Sequence, residues 1–86
     1  MKVYVVSSSD VPIICIAKTY KAAVNHLFKF HWINPKDELM IDDEMTTLEK
    51  YFGEDCVDMM AEQWDEDMFN EFWYDNFWIH TYEVIE

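Results

Sequence analysis

The sequence predicts an α+β fold in which a three-stranded antiparallel sheet carries about three helices on one face, in the order β-β-α-α-α-β. Three observations predict it: two short β-branched runs at the N-terminus, three helical-period stretches in the middle, and an apolar, aromatic run at the C-terminus. A chain of 86 residues builds one hydrophobic core, so residues 1–86 read as a single domain. At 51% hydrophobic and 17% aromatic, it has the material for that core, which disordered acidic chains lack.

Residues 2–7 (KVYVVS) and 12–17 (PIICIA) are short and rich in β-branched side chains, and SSSDV between them suits a turn, so the pair reads as a hairpin. Thr19 then caps a helix with Tyr20, Ala23, Val24, Leu27, Phe28 and His31 on its apolar face. Asn34-Pro35 is its expected end, because a residue before proline is pushed out of the helical region. Residues 35–45 read as a connector.

Thr46-Thr-Leu-Glu49 has the form of a capping box and places a second helix start near 47. Leu48, Phe52, Cys56, Met59, Met60 and Trp64 fall on one face of it. Gly53 lies off that stripe, either as a tolerated exposed glycine or as a break into two shorter helices. Asp65 suits the N-cap of a third segment with Met68, Phe69, Phe72 and Trp73 inward. Residues 78–85 (WIHTYEVI) form a strand expected to pair with the N-terminal hairpin, since alone it would leave its backbone groups unpaired.

Charge is the most informative feature. Residues 1–36 hold five Lys against Asp10 alone, net +4, while residues 37–86 hold seventeen acids against Lys50 alone, net −16. The chain has no Arg. Within the acidic half, Glu54, Asp58 and Glu62 recur every four residues, and so do Asp67, Glu71 and Asp75. Four residues of helix rise about 6 Å, so each set predicts a line of carboxylates along one helix face. Like charges at that spacing cost roughly 0.2–0.5 kcal/mol per pair. The face is either merely solvated or kept at that cost for a partner with a basic groove. Duplex DNA shows proteins a regular row of negative charges, and a rigid row of carboxylates at similar intervals fits the same Lys- and Arg-lined cleft. Direct nucleic-acid binding by this face is excluded, because phosphates are repelled. Tyr74 and one of Phe77 or Trp78 cannot all turn inward with Phe69, Phe72 and Trp73, so an exposed aromatic is expected beside the acids as a contact residue. The expected partner-binding residues are therefore Glu54, Asp58, Glu62, Asp67, Glu71, Tyr74 and Asp75. The Lys-bearing N-terminal third is expected to face away, with Lys21 and Lys29 on the outer side of the first helix.

Catalytic and cofactor readings find little support. His26, His31 and His80 with Cys15 and Cys56 show none of the close spacings of a metal site, and both cysteines read as reduced packing residues. The acids at 42–44 lack the glycine and alternating ligands of a calcium loop, and a single glycine, Gly53, rules out a phosphate-binding loop. The chain reads as a binding protein with no cofactor and no metal, not an enzyme. No stretch is long and apolar enough to span a membrane, and Asp10 and Pro12 interrupt the run a signal peptide needs, so a cytoplasmic location is expected.

Taken whole, the chain resembles the small acidic anti-CRISPR inhibitors of type II systems, proteins of phages and prophages that act on RNA-guided nucleases. The likeness lies in the opening strand KVYVVS, the acidic block from Glu54 to Asp75 and the closing WIHTYEVIE, that is, in size, charge and element order. It implies a DNA mimic whose acidic face blocks the DNA- or PAM-reading cleft of a CRISPR nuclease. Two other classes share these features: immunity or antitoxin-type inhibitors of a basic RNase or DNase toxin, and non-inhibitory phage accessory subunits.

Overall fold

The computed structural model describes residues 1–74 and 76–85. Its elements are β1 (Lys2–Ser8), β2 (Cys15–Ala17), α1 (Tyr20–Lys29), β3 (Glu38–Ile41), β4 (Glu44–Thr47), α2 (Leu48–Phe52), α3 (Cys56–Gln63), α4 (Glu66–Phe72) and β5 (Phe77–Glu83). The expected sheet forms with β1 at its centre, antiparallel to β2 on one side and to β5 on the other. Strand alternation divides its side chains. Tyr4, Val6, Cys15, Ala17, Phe77 and Ile79 join one core with Ala23, Val24 and Leu27 of α1, Met60 of α3 and Phe69 of α4. Ile16, Val5 and His80 line up across the three strands on the opposite face.

Caps set the helix starts. Thr19 Oγ1 accepts from the Ala22 amide at 3.1 Å, and Asp65 Oδ1 accepts from the Met68 amide at 2.9 Å, both as the sequence predicts. The second helix is capped by Thr47, one residue after the Thr46 of the expected box, through the Lys50 amide at 3.1 Å. Gly53 then resolves the open alternative. It sits at φ 90°, a conformation that side-chain-bearing residues resist, and the helix divides there into α2 and α3.

Two expectations are corrected. The first helix ends at Lys29, well before Pro35. His31, at φ 63°, donates its amide to the Phe28 carbonyl, and the Trp32 amide reaches the Leu27 carbonyl at 2.9 Å. This is the Schellman closure, usually made by glycine, so the helix stops before the proline is felt and His31 leaves the apolar face for solvent. Residues 35–45 are not a plain connector either. Most of them build a second sheet, the β3–β4 hairpin, which turns on Asp42 and Asp43 at φ 52° and 66°. Two consecutive positive φ values define the type I′ turn that matches strand twist, and aspartate tolerates that region better than most residues. Leu39 and Ile41 turn inward, while Met40 and its cross-strand partner Met45 stay exposed.

The outer edge of β5 is closed by a side chain. Val6 accepts the Ile14 amide on the β2 side, so the opposed Ile79 directs its own N–H and C=O away from β1. The Asn70 amide meets both groups, accepting from Ile79 N at 2.7 Å and donating to Ile79 O at 2.8 Å. Asn70 therefore replaces two bonds of a missing strand. Asn70→Ala is expected to destabilise the fold by about 2–4 kcal/mol, since two backbone groups of a fully buried residue lose their partners. Urea unfolding measures it, and a loss below about 0.5 kcal/mol would show that this edge does not depend on Asn70.

Candidate acidic interface

The expected site residues are not arranged as two unbroken lines. Glu54 lies in the break between α2 and α3, so it is not one helical turn from Asp58. Asp75 lies outside the described residues. What remains is one exposed i, i+4 pair on each helix, Asp58 with Glu62 on α3 and Asp67 with Glu71 on α4. The self-repulsion falls accordingly, to about 0.4–1 kcal/mol for two pairs. Tyr74, directly after α4, is 65% exposed and is the outward aromatic the sequence calls for. Phe77 is buried and Trp78 half-buried, while Met68, expected inward, is 46% exposed.

The basic N-terminal third does not stand clear of the acids. Lys21 Nζ lies 3.2 Å from Asp58 Oδ1, because α1 packs along α3. Lys21 is thus not a free outer-face residue, and Asp58 is already partly neutralised. Both side chains remain more than half exposed, which limits the pair to roughly 0.2–1 kcal/mol.

Position along each helix separates acids with a local role from acids without one. A helix N-terminus carries partial positive charge and its C-terminus partial negative charge. Asp58, Glu66 and Asp67 lie in first turns, where carboxylates are favoured, and Asp65 is a cap. Glu66 also accepts a hydrogen bond from the Thr81 hydroxyl of β5. Glu62 and Glu71 lie in the last turns of α3 and α4, and neither last turn contains a basic residue. Each opposes its helix dipole at a cost of about 0.3–1 kcal/mol. These two carboxylates are the ones the fold itself disfavours.

Two concavities meet at Trp64, the residue that ends α3. One, of about 470 Å³, is lined by Tyr4, Tyr20, Glu62, Asp65 and Glu66. There the Tyr20 hydroxyl donates to the Asp65 carbonyl at 3.3 Å, and its pKa is raised by burial and then by the Asp65 and Glu66 carboxylates. The other, of about 560 Å³, runs between β3 and α4 with Asp42 and Glu71 at its borders and Leu39, Ile41, Phe72 and Trp73 among its lining. Tyr51 donates to Asp42 Oδ2 at 2.7 Å, which ties the hairpin turn to α2 and raises the tyrosine pKa. The hairpin thus adds Glu38, Asp42, Asp43 and Glu44, all exposed, to the acidic surface. Sequence reasoning missed them, although ELMI-DD-EMTT carries the signal: two short runs about a two-residue turn able to take positive φ.

Cys15 and Cys56 are free thiols whose pKa values are raised chiefly by burial, which disfavours the reactive thiolate. Among the described residues no three His, Cys, Asp or Glu side chains gather as metal ligands, and no helix is long and apolar enough to cross a membrane. Comparison with protein-family models, curated proteins and solved structures finds no match.

Proposed function

We propose that this protein is an acidic inhibitor that docks its α3–α4 face into the basic nucleic-acid cleft of a host defence nuclease, an RNA-guided CRISPR nuclease of the type its sequence resembles. The observation that carries the reading is the pair Glu62 and Glu71. Both are exposed at helix C-termini where the dipole disfavours them, with no cation in the same turn. A cleft of Lys and Arg offsets that cost on binding and gains steering besides, because opposite potentials raise the association rate. The protein acts by occupancy, as a DNA mimic, without catalysis or a cofactor. Nucleic acid and membrane are not its partners.

Mimicry requires that protein and DNA compete for the same cationic groups. Guide-loaded nuclease, labelled target DNA and the protein are mixed in both orders. Protein added first is expected to prevent DNA loading, and DNA loaded first to slow the association of the protein. Inhibition should also weaken as salt rises from 50 to 500 mM, since screening shortens to a few ångströms near 1 M. A stable ternary complex of nuclease, fully engaged DNA and protein rules out occupancy of the DNA cleft. Capture of a toxin RNase or DNase in place of a guided nuclease would move the protein to the immunity class.

A further inference from the structure

The groove between β3 and α4 combines features that a purely electrostatic mimic does not need. Its lining includes the apolar side chains of Trp64, Phe72, Leu39 and Ile41, with Met40 and Met68 beside them, 58% and 46% exposed. Methionine at a surface groove supplies a soft, adaptable contact for a variable side chain. Its borders are acidic: Asp42 and Glu71 line it, and Asp43, Glu44 and Asp67 follow within two residues of Asp42 or immediately precede Met68. Consecutive residues 39–42 line one wall, so the wall is the free edge of β3. In a hairpin with a two-residue turn, Ile41 and Glu44 exchange the bonds nearest the turn. The ladder's alternation then directs the N–H and C=O of Met40 to that free edge. Trp73 lines the groove and also a smaller hollow beside Trp32 and Asn34.

We propose that this groove seats an apolar side chain carried on a Lys- or Arg-flanked segment of the basic partner, an inference that rests on the acidic-inhibitor reading above. The apolar lining takes the anchor, the Met40 backbone edge takes the segment's main chain, and the acidic borders take the flanking cations. Anionic ligands are rejected by the same carboxylates. The acidic face supplies encounter and general attraction, and the groove supplies discrimination among basic partners, because burying an apolar side chain adds affinity that charge alone does not.

The probes are two amidated peptides of equal charge, Lys-Arg-Leu-Arg-Lys and Lys-Arg-Gly-Arg-Lys, titrated into the full chain by calorimetry at physiological salt. The leucine peptide is expected to bind about tenfold more tightly. Met40→Gln with Met68→Gln should abolish that preference while leaving the affinity of the glycine peptide unchanged. Both methionines are exposed, so the variant keeps its fold, which circular dichroism checks. Glu71→Gln, as a second variant, should weaken both peptides alike. Equal affinities for the two peptides, or a leucine preference that survives the double substitution, overturns the groove. A nuclease assay separates the two readings. A leucine preference lost in the double variant supports the groove even where the chain inhibits no guided nuclease, whereas normal order-of-addition behaviour with equal peptide affinities leaves inhibition standing and removes the groove.

Discussion

Phe69→Ala is expected to cost about 3–5 kcal/mol of stability, the range for truncating a fully buried phenylalanine. Phe69 is completely buried in α4, and its ring meets Tyr20 of α1 edge-on at 6.3 Å and Trp73 at the same distance. It therefore joins α4 to α1 and to the aromatic cluster that continues through Phe72 and Trp64. A domain of this size holds roughly 5–10 kcal/mol in all, so the loss consumes a large share of it. Thermal unfolding should move down by more than 12 °C at about 4–8 °C per kcal/mol. Phe69→Leu, which refills most of the volume, should lose less than half as much. A melting temperature within 3 °C of the parent for Phe69→Ala would show that α4 is not packed as described.

Phe69 also marks what the sequence makes legible. Its inward position follows from the helical spacing of 69, 72 and 73 after the Asp65 cap, and the structure agrees at all three. The three-stranded sheet is legible because β1 and β5 are rich in β-branched and aromatic residues. What escaped was decided by backbone conformations whose residues gave weak signals. A histidine closes α1 in a left-handed conformation that glycine usually fills, so Pro35 was the more visible stop. Two aspartates turn the β3–β4 hairpin where Asn-Gly is the familiar marker, so the sequence alone suggests a connector there. Missing the hairpin hides the groove as well, because Asp42 and Met40 share a concavity with Glu71 and Met68 only once the hairpin forms. The acidic lines suffered from the converse error. Periodicity alone continues through Gly53, but the helix does not, and Glu54 leaves the set. Nor does spacing reveal that Lys21 lies across from Asp58, which depends on how α1 packs.

That last contact decides which acids make the most informative variant. Reversing Asp58 would set a lysine against Lys21 and confuse a lost interface with a damaged helix pair. Glu62→Lys with Glu71→Lys has no such ambiguity, and its two expected effects have opposite signs. Each new lysine lies in the last turn of its helix, where a cation is favoured by about 0.3–1 kcal/mol. Each also turns a repulsive i, i+4 pair, with Asp58 or Asp67, into an attractive one in the better orientation, acid before lysine. The double variant should therefore be more stable than the parent by about 2 kcal/mol or more, melting roughly 8 °C or more higher. Against a cleft of Lys and Arg the same change replaces two attractions by two repulsions, and close charge pairs across an interface are worth about 1.5 kcal/mol or more. Inhibition should fall by at least a hundredfold, at about 1.4 kcal/mol per factor of ten. A merely solvated acidic surface predicts the gain in stability with no change in binding. A variant that melts higher and inhibits like the parent would remove Glu62 and Glu71 from the interface, whereas higher stability with lost inhibition identifies carboxylates kept for a partner at the expense of the fold.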